Sequence, residues 1–130
     1  MKINSFIRNG YKGEKDYTEQ VDIISNALKK SKLKHGYKCY RGRDFNPFEG
    51  VKVGETKTAN QFLSTSLKSS GAFNGKYTIL VYAEKGTNAA YIEEISAESF
   101  KKQREMLFDK DVVYELLYQQ DNFIIVRTKP

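Results

Sequence analysis

The sequence has no tryptophan and, among its 130 residues, only one cysteine, one histidine and two prolines. The lone Cys39 excludes a disulfide within the chain, and together with His35 it leaves too few soft ligands for a structural zinc site. Hydrolysis by a serine, cysteine or zinc mechanism with an imidazole base would have to depend on His35 alone. We therefore expect no bound metal, and we expect both residues to be structural.

Long apolar runs are also missing. No stretch approaches the roughly 18 apolar residues needed to cross a bilayer. The opening "MKINSFIRNG" lacks the apolar region of a secretory signal. From these absences we expect a soluble chain with no signal peptide and no membrane partner.

The composition is that of a folded chain with a basic surface. Hydrophobic residues make up 39% of it, including nine tyrosines and eight phenylalanines, which is enough for a packed interior. This length suits one cooperative unit, so we expect a single domain over residues 1–130. The net charge of +6 favours phosphate-bearing partners. The densest basic stretch, "KKSKLKHGYK", is more typical of a solvated helix end than of a nucleic-acid contact.

One helix and a series of strands can be predicted from the spacing of apolar residues. In "DYTEQVDIISNALKKS" they recur every three or four positions, at Tyr17, Val21, Ile24 and Leu28. Asp16 would be the N-cap, with Glu19 three residues later. Strands are predicted near 37–41, 61–66, 76–84, 89–92, 103–108, 112–118 and 123–128, with turns at 109–111 and 119–122.

The fold class that follows is α+β, with two packed sheets and an N-terminal helix or helices. "YTILVYA" is apolar at both odd and even positions, so this strand should be covered on both faces. The segment "RDFNPFEGVKVGETKTAN" is predicted to be a loop that contains at most one helical turn.

The stretch "KKQREMLF" begins a predicted strand with a carboxamide and a carboxylate, Gln103 and Glu105. Residues two apart on a strand lie on one face about 6 to 7 Å from each other, so the two side chains could bind one ligand together. The exposed aromatic Phe100 would add a recognition surface. Taken alone, this stretch is better explained by two polar side chains that face water than by a ligand site.

Two further groups of polar residues stand at strand ends. In "YRG", Arg41 offers a fork of donors suited to a diphosphate, and Gly42 would let a flat group approach the backbone. In "FLSTS", Ser64 and Ser66 share one face of the strand and Thr65 takes the other. Each group on its own also fits an ordinary strand end or a capped turn.

In this order along the chain, Arg41, the serine-threonine-serine run and Gln103-x-Glu105 resemble the triple motif of the mono-ADP-ribosyltransferase toxins. The glutamine before the glutamate is similar to the clostridial exoenzymes that modify Rho. The resemblance extends from about Tyr11 to the C-terminus. It implies the ADP-ribosyltransferase fold, whose two mostly antiparallel sheets form a cleft for NAD, with NAD as co-substrate.

Two other stretches are similar to elements of the same family. "AFNGK" resembles its Phe-x-x-Arg element, with Phe73 in the place of the aromatic residue that stacks on nicotinamide. Lys76 stands where the family has arginine, so a fork of donors becomes a point charge. "KGTNAAYI" resembles the strand that precedes the family's recognition loop, in which Phe100 takes the position of the aromatic residue that contacts the target.

The resemblance also implies roles for the site residues. Glu105 would hydrogen-bond the 2′-hydroxyl of the NAD ribose and stabilise the positive charge that develops as nicotinamide leaves, with Ser64 holding Glu105. Gln103 would recognise an asparagine or glutamine acceptor, with Phe100 beside it. The expected NAD contacts are Arg41 and Lys76 on the phosphates, Phe73 on the nicotinamide ring, the Gly42 backbone on the carboxamide, and Thr65 and Ser66.

The expected function is transfer of ADP-ribose from NAD to a protein, such as a small GTPase, by a monomeric domain in the cytosol of a target cell. NAD glycohydrolase activity is expected as a side reaction. Two alternatives stay open. DNA could be the acceptor, since members of the superfamily that modify guanine share the Gln-x-Glu pair and the positive charge would suit a nucleic acid. The chain could also be a non-catalytic phage or toxin module that keeps the fold.

Overall fold

The computed structural model describes residues 2–70, 75–95 and 102–130; for 93–95 and 102–104 it describes the backbone alone. Within these residues two helices precede eight strands. The helices are α1 (Lys2–Arg8) and α2 (Thr18–Lys30). The strands are β1 (Tyr37–Arg43), β2 (Thr56–Thr58), β3 (Leu63–Ser66), β4 (Tyr77–Ala83), β5 (Ala89–Ile95), β6 (Lys102–Phe108), β7 (Val113–Gln120) and β8 (Phe123–Thr128). None of the helices in these residues has the length and apolar character to cross a bilayer.

The predicted helix is α2, but its start differs from the prediction. Val21 and Leu28 are buried, as the apolar spacing requires. The N-cap is Tyr17 rather than Asp16, so the predicted N-cap is wrong by one residue. Asp16 still serves this end of the helix, because its Oδ1 accepts hydrogen bonds from the Thr18 amide at 2.9 Å and from the Thr18 hydroxyl at 2.6 Å.

The strands form one hydrogen-bonded sheet in the order β2-β7-β8-β4-β1-β3-β6-β5. All neighbouring strands are antiparallel except β4 and β8, which are parallel. Between β1 and β3 the register has a single pair, Tyr40 opposite Ser66. The two predicted sheets are therefore two halves of one sheet, β2-β7-β8-β4-β1 and β3-β6-β5, joined at this pair.

Seven strands were predicted, and each is present: β8 has the predicted ends, and the other six have shifted ends. The strand that was not predicted, β2, has three exposed residues and pairs with β7 at the edge of the sheet, so it carries no apolar alternation to indicate it. The prediction that both faces of β4 are covered holds for one face, whereas on the other Thr78 and Leu80 are half-buried. Ile79, Val81 and Ala83 are buried, whereas Tyr82 on the other face is 37% exposed.

Two clusters of buried side chains hold the fold together. The larger lies between the halves of the sheet and includes Val81 and Val126 from one half and Met106 and Phe108 from the other. The smaller packs α1 and α2 against Phe62, which lies just before β3, and against β5 and β6. Asn4 of α1 fixes this contact, because its side chain donates to the Phe62 carbonyl at 2.9 Å and accepts from the Phe62 amide at 2.8 Å.

Candidate active site

Ser64 connects the two charged residues that the sequence singled out. Its backbone carbonyl accepts a hydrogen bond from Nη1 of Arg41, and its hydroxyl donates to Oε1 of Glu105. The sheet register explains this convergence, because Ser66 stands opposite Tyr40 of β1 and opposite Glu105 of β6. Strand β3 therefore lies between Arg41 and Glu105 and holds both.

Strand alternation separates the three hydroxyl residues of β3. Ser64 is exposed, Ser66 is half-buried, and both lie on the face that carries Glu105. Thr65 points the other way, is 5% exposed, and donates its hydroxyl to the Met106 carbonyl at 3.0 Å. The predicted contact of Thr65 with NAD stays a prediction that would require this hydroxyl to leave Met106.

A cavity of about 320 Å³ is lined by Arg41 and Arg43 of β1, by the segment after β1 and by core residues of the sheet. Its rim carries Arg8, Arg43 and Lys57 together with the exposed Phe45. Its floor is buried and consists of Phe48, Ile79, Val81, Tyr114 and Val126. Among the described residues, the lining includes four cations and no carboxylate, so the cavity favours an anion that carries an apolar part.

The electrostatics of Arg41 agree with an anion site. Burial, and then the neighbouring charge of Arg43, lower the pKa of Arg41 to about 10. The guanidinium is still protonated at neutral pH, but its charge is poorly solvated and is repelled by a second cation. An anion bound here would relieve both effects. Arg43 itself stacks over the Phe45 ring, with 4.5 Å between its guanidinium carbon and the ring centroid.

Arg8 and Gln61 belong to the cavity wall and were missed by the sequence analysis. Nη1 of Arg8 donates to Oε1 of Gln61, and Nη2 donates to the Ser5 hydroxyl at 3.0 Å. Arg8 ends a short helix and Gln61 precedes β3, and the two residues are 53 positions apart in the sequence. No local pattern relates two such residues, so only the packing of α1 onto the segment before β3 reveals them.

Other predicted residues lie outside the cavity wall. Ser64, Glu105, Gly42 and Lys76 are all described and none of them lines it. Lys76 is exposed, with its ammonium 5.9 Å from the Tyr77 ring centroid. The neighbouring Gly75 packs directly on the main chain of β1, where a Cβ would lie 2.6 Å from the Arg43 carbonyl carbon.

The residues predicted to recognise nicotinamide and the acceptor are described least. The backbone of Gln103 pairs with Glu94 of β5, which confirms that it lies in a strand two positions before Glu105. Its side chain lies outside the part of the chain that is described. Phe73 and Phe100 also lie outside the described residues, so their predicted roles stay predictions.

The structure joins Arg41, Ser64 and Glu105 in one hydrogen-bonded series, and these are residues on which the sequence resembles the mono-ADP-ribosyltransferase toxins. The chain belongs to the ADP-ribosyltransferase exoenzyme family, whose model matches residues 1–126. NAD is the co-substrate of that family. The match begins ahead of Tyr11, where the sequence resemblance was expected to start, so α1 with Arg8 is part of the family region.

Individual relatives agree with this assignment. The chain is 30% identical over 127 residues to the NAD(+)–arginine ADP-ribosyltransferase EFV of Enterococcus faecalis, covering 87% of this chain and 25% of that protein. The chain therefore spans about a quarter of the curated relative.

Two solved structures have the same fold. The C3larvin toxin of Paenibacillus larvae, an ADP-ribosyltransferase, superposes with a TM-score of 0.74 at 24% identity, over 99% of this chain and 80% of that one. The ADP-ribosylating toxin BECa, from a binary enterotoxin of C. perfringens and solved with NADH, gives 0.69 at 26% identity, over 98% of this chain and 39% of that one. The predicted α+β ADP-ribosyltransferase fold is thus confirmed.

Proposed function

We propose that the chain transfers ADP-ribose from NAD to a side chain of an acceptor protein and releases nicotinamide. The observation that carries this proposal is the hydrogen-bonded series from Arg41 through Ser64 to Glu105. It brings a phosphate-binding cation and a single carboxylate to one strand, in a chain that belongs to the ADP-ribosyltransferase exoenzyme family.

Glu105 acts on the ribose of NAD. Its carboxylate accepts a hydrogen bond from the 2′-hydroxyl and stabilises the positive charge that develops at C1′ as the bond to nicotinamide breaks. Ser64 uses its hydroxyl to keep the carboxylate in this position. Because nicotinamide leaves as a neutral molecule, no general acid has to protonate it, and one carboxylate is sufficient.

The arginines hold the phosphates of NAD. Arg41 and Arg43 line one cavity with Arg8, and each guanidinium can give two parallel hydrogen bonds to a phosphate. Lys76 stands where the family has an arginine. The guanidinium groups of these three arginines provide the paired hydrogen-bond donors that Lys76 lacks. The Gly42 backbone and Phe73 complete the site by holding the nicotinamide group.

Gln103 selects the acceptor. A carboxamide both donates and accepts, so it pairs best with another amide, and we propose that asparagine or glutamine side chains are modified, for example on a small GTPase. The Enterococcus relative is named for arginine. An arginine acceptor would be favoured by a carboxylate at the same position.

The acceptor class can be tested with agmatine, a small guanidine that stands in for arginine. The wild-type chain should modify agmatine poorly, whereas Gln103→Glu should modify it at least ~10-fold faster, because a carboxylate pairs with the guanidinium. NAD hydrolysis should be similar in both, which serves as the internal control. Equal agmatine modification by the two proteins would contradict the proposed role of Gln103.

The acceptor itself can be found by mass spectrometry. A cell lysate treated with the chain and NAD should gain ADP-ribose on asparagine or glutamine residues of a protein, and the same lysate treated with Glu105→Gln should not. Adducts confined to DNA would support the guanine-modifying alternative instead. Failure to consume NAD in lysate or in buffer would contradict the proposed activity altogether.

A further inference from the structure

Tyr114 lies in the floor of the cavity that Arg41 and Arg43 line, and it carries a buried hydroxyl. It is the largest fully buried side chain of the described residues, at 1% exposure, and it lines the cavity together with Arg41. Its ring lies between Phe48 and Phe108, with centroid distances of 6.4 and 6.1 Å. The hydroxyl has no hydrogen-bond partner among the residues that the structure describes.

A buried hydroxyl without a partner lowers the stability of a fold, and such groups are rare in proteins. Phenylalanine at position 114 would fill the same space between the two aromatic rings without that cost. The hydroxyl is therefore expected to form its hydrogen bond in a state that the chain reaches by binding something in the cavity.

The hydroxyl is a donor at neutral pH. Burial raises the pKa of Tyr114 well above its ordinary value, and the positive charge of Arg41 offsets this only in part. The interaction also affects Arg41. Burial and Arg43 lower the pKa of Arg41, and Tyr114 raises it. Tyr114 and Arg41 also line the same cavity, so both can face a group that is bound in it.

A neutral hydrogen-bond donor at the floor of the cavity is more favourable than a further cation would be. Arg41 is already repelled by Arg43, and two more cations, Arg8 and Lys57, stand at the rim of the same cavity. Phosphate oxygens only accept hydrogen bonds, so each donor that faces them is satisfied. A phenol adds one such bond without adding to the repulsion among the cations.

We propose that the Tyr114 hydroxyl and the Arg41 guanidinium together bind one phosphate group of a nucleoside diphosphate at the floor of the cavity. Arg41 uses one of its five N–H groups on the Ser64 carbonyl and has others to direct at the same phosphate. In the proposed function this phosphate is one of the two in NAD, so the inference rests on that function for its natural ligand.

Tyr114→Phe tests the assignment because it removes the hydroxyl and keeps the ring. Calorimetry with ADP-ribose and with inorganic pyrophosphate should show roughly tenfold weaker binding of both than in the wild type, since a bond from a donor to a charged phosphate is lost. The melting temperature should be equal or higher, because an unpaired buried hydroxyl is gone. Tyr118→Phe, in the same strand but exposed and outside the cavity wall, should bind both ligands normally.

The two ligands separate this inference from the proposed function. If the wild type binds pyrophosphate but not ADP-ribose, and Tyr114→Phe loses pyrophosphate, the phosphate site is supported while the proposed use of NAD fails. Unchanged binding of pyrophosphate in Tyr114→Phe would overturn the assignment, whatever happens to ADP-ribose. A wild type that binds neither ligand would overturn both.

Discussion

Replacing Glu105 with glutamine tests the proposed chemistry most directly. Glutamine has nearly the same shape and its amide oxygen can still accept from the Ser64 hydroxyl, so the change removes the charge and leaves the arrangement in place. Glu105 is half-buried, which makes an effective dielectric constant of about 20 appropriate.

The size of the effect follows from that charge. Two unit charges about 4 Å apart at this dielectric constant attract by about 4 kcal/mol. The ribose carries a partial positive charge in the transition state, so about half to all of this is lost. At about 1.4 kcal/mol per factor of ten, nicotinamide release by Glu105→Gln should fall by about 30-fold to 10³-fold.

The assay is the rate of nicotinamide release from saturating NAD, followed by chromatography, with circular dichroism to show that the variant is folded. Glu84→Gln is the matched control, because Glu84 is also half-buried but lies outside the cavity wall and the motif, and its rate should equal that of the wild type. A folded Glu105→Gln that releases nicotinamide within threefold of the wild-type rate would refute the role of the carboxylate.

Three other changes have definite expected outcomes. Ser64→Ala removes the hydroxyl that holds Glu105, so kcat for NAD cleavage should fall about 3- to 30-fold with KM nearly unchanged; a change confined to KM would contradict this positioning role. Arg41→Lys keeps the charge but loses the fork of donors, and KM for NAD measured by initial rates should rise about tenfold; an unchanged KM would show that the fork is not used. Ser25→Ala leaves the buried Asp109 without the hydroxyl that donates to it at 2.7 Å, so urea unfolding should show a loss of about 1 to 3 kcal/mol, and an equally stable variant would contradict the importance of that bond.

Several features of the fold could be predicted because they depend on neighbours in the sequence. The three- and four-residue spacing of Val21, Ile24 and Leu28 predicted α2, and short apolar and aromatic runs predicted every strand except β2. That strand is three exposed residues long and exists because it pairs with β7 at the sheet edge. Apolar residues at odd and even positions of β4 did not predict that Tyr82 on its outer face is partly exposed.

Some features of the site could likewise be predicted from the sequence, and others could not. The order and spacing of Arg41, the hydroxyl run of β3 and the Gln103-x-Glu105 pair were enough to indicate the family, which the family match confirms. The same spacing could not show that the hydroxyl of Thr65 is turned into the core and bonded to Met106.

By itself the sequence determined the chemical groups of this protein and the class of elements that carry them, because helices and strands follow from local periodicity. Only the tertiary structure decided which groups meet. Ser64 contacts Arg41 across 23 positions and Glu105 across 41, and Arg8 meets Gln61 across 53. Such contacts depend on strand order, register and helix packing, which are settled by burial of the shared core and not by any short stretch of residues.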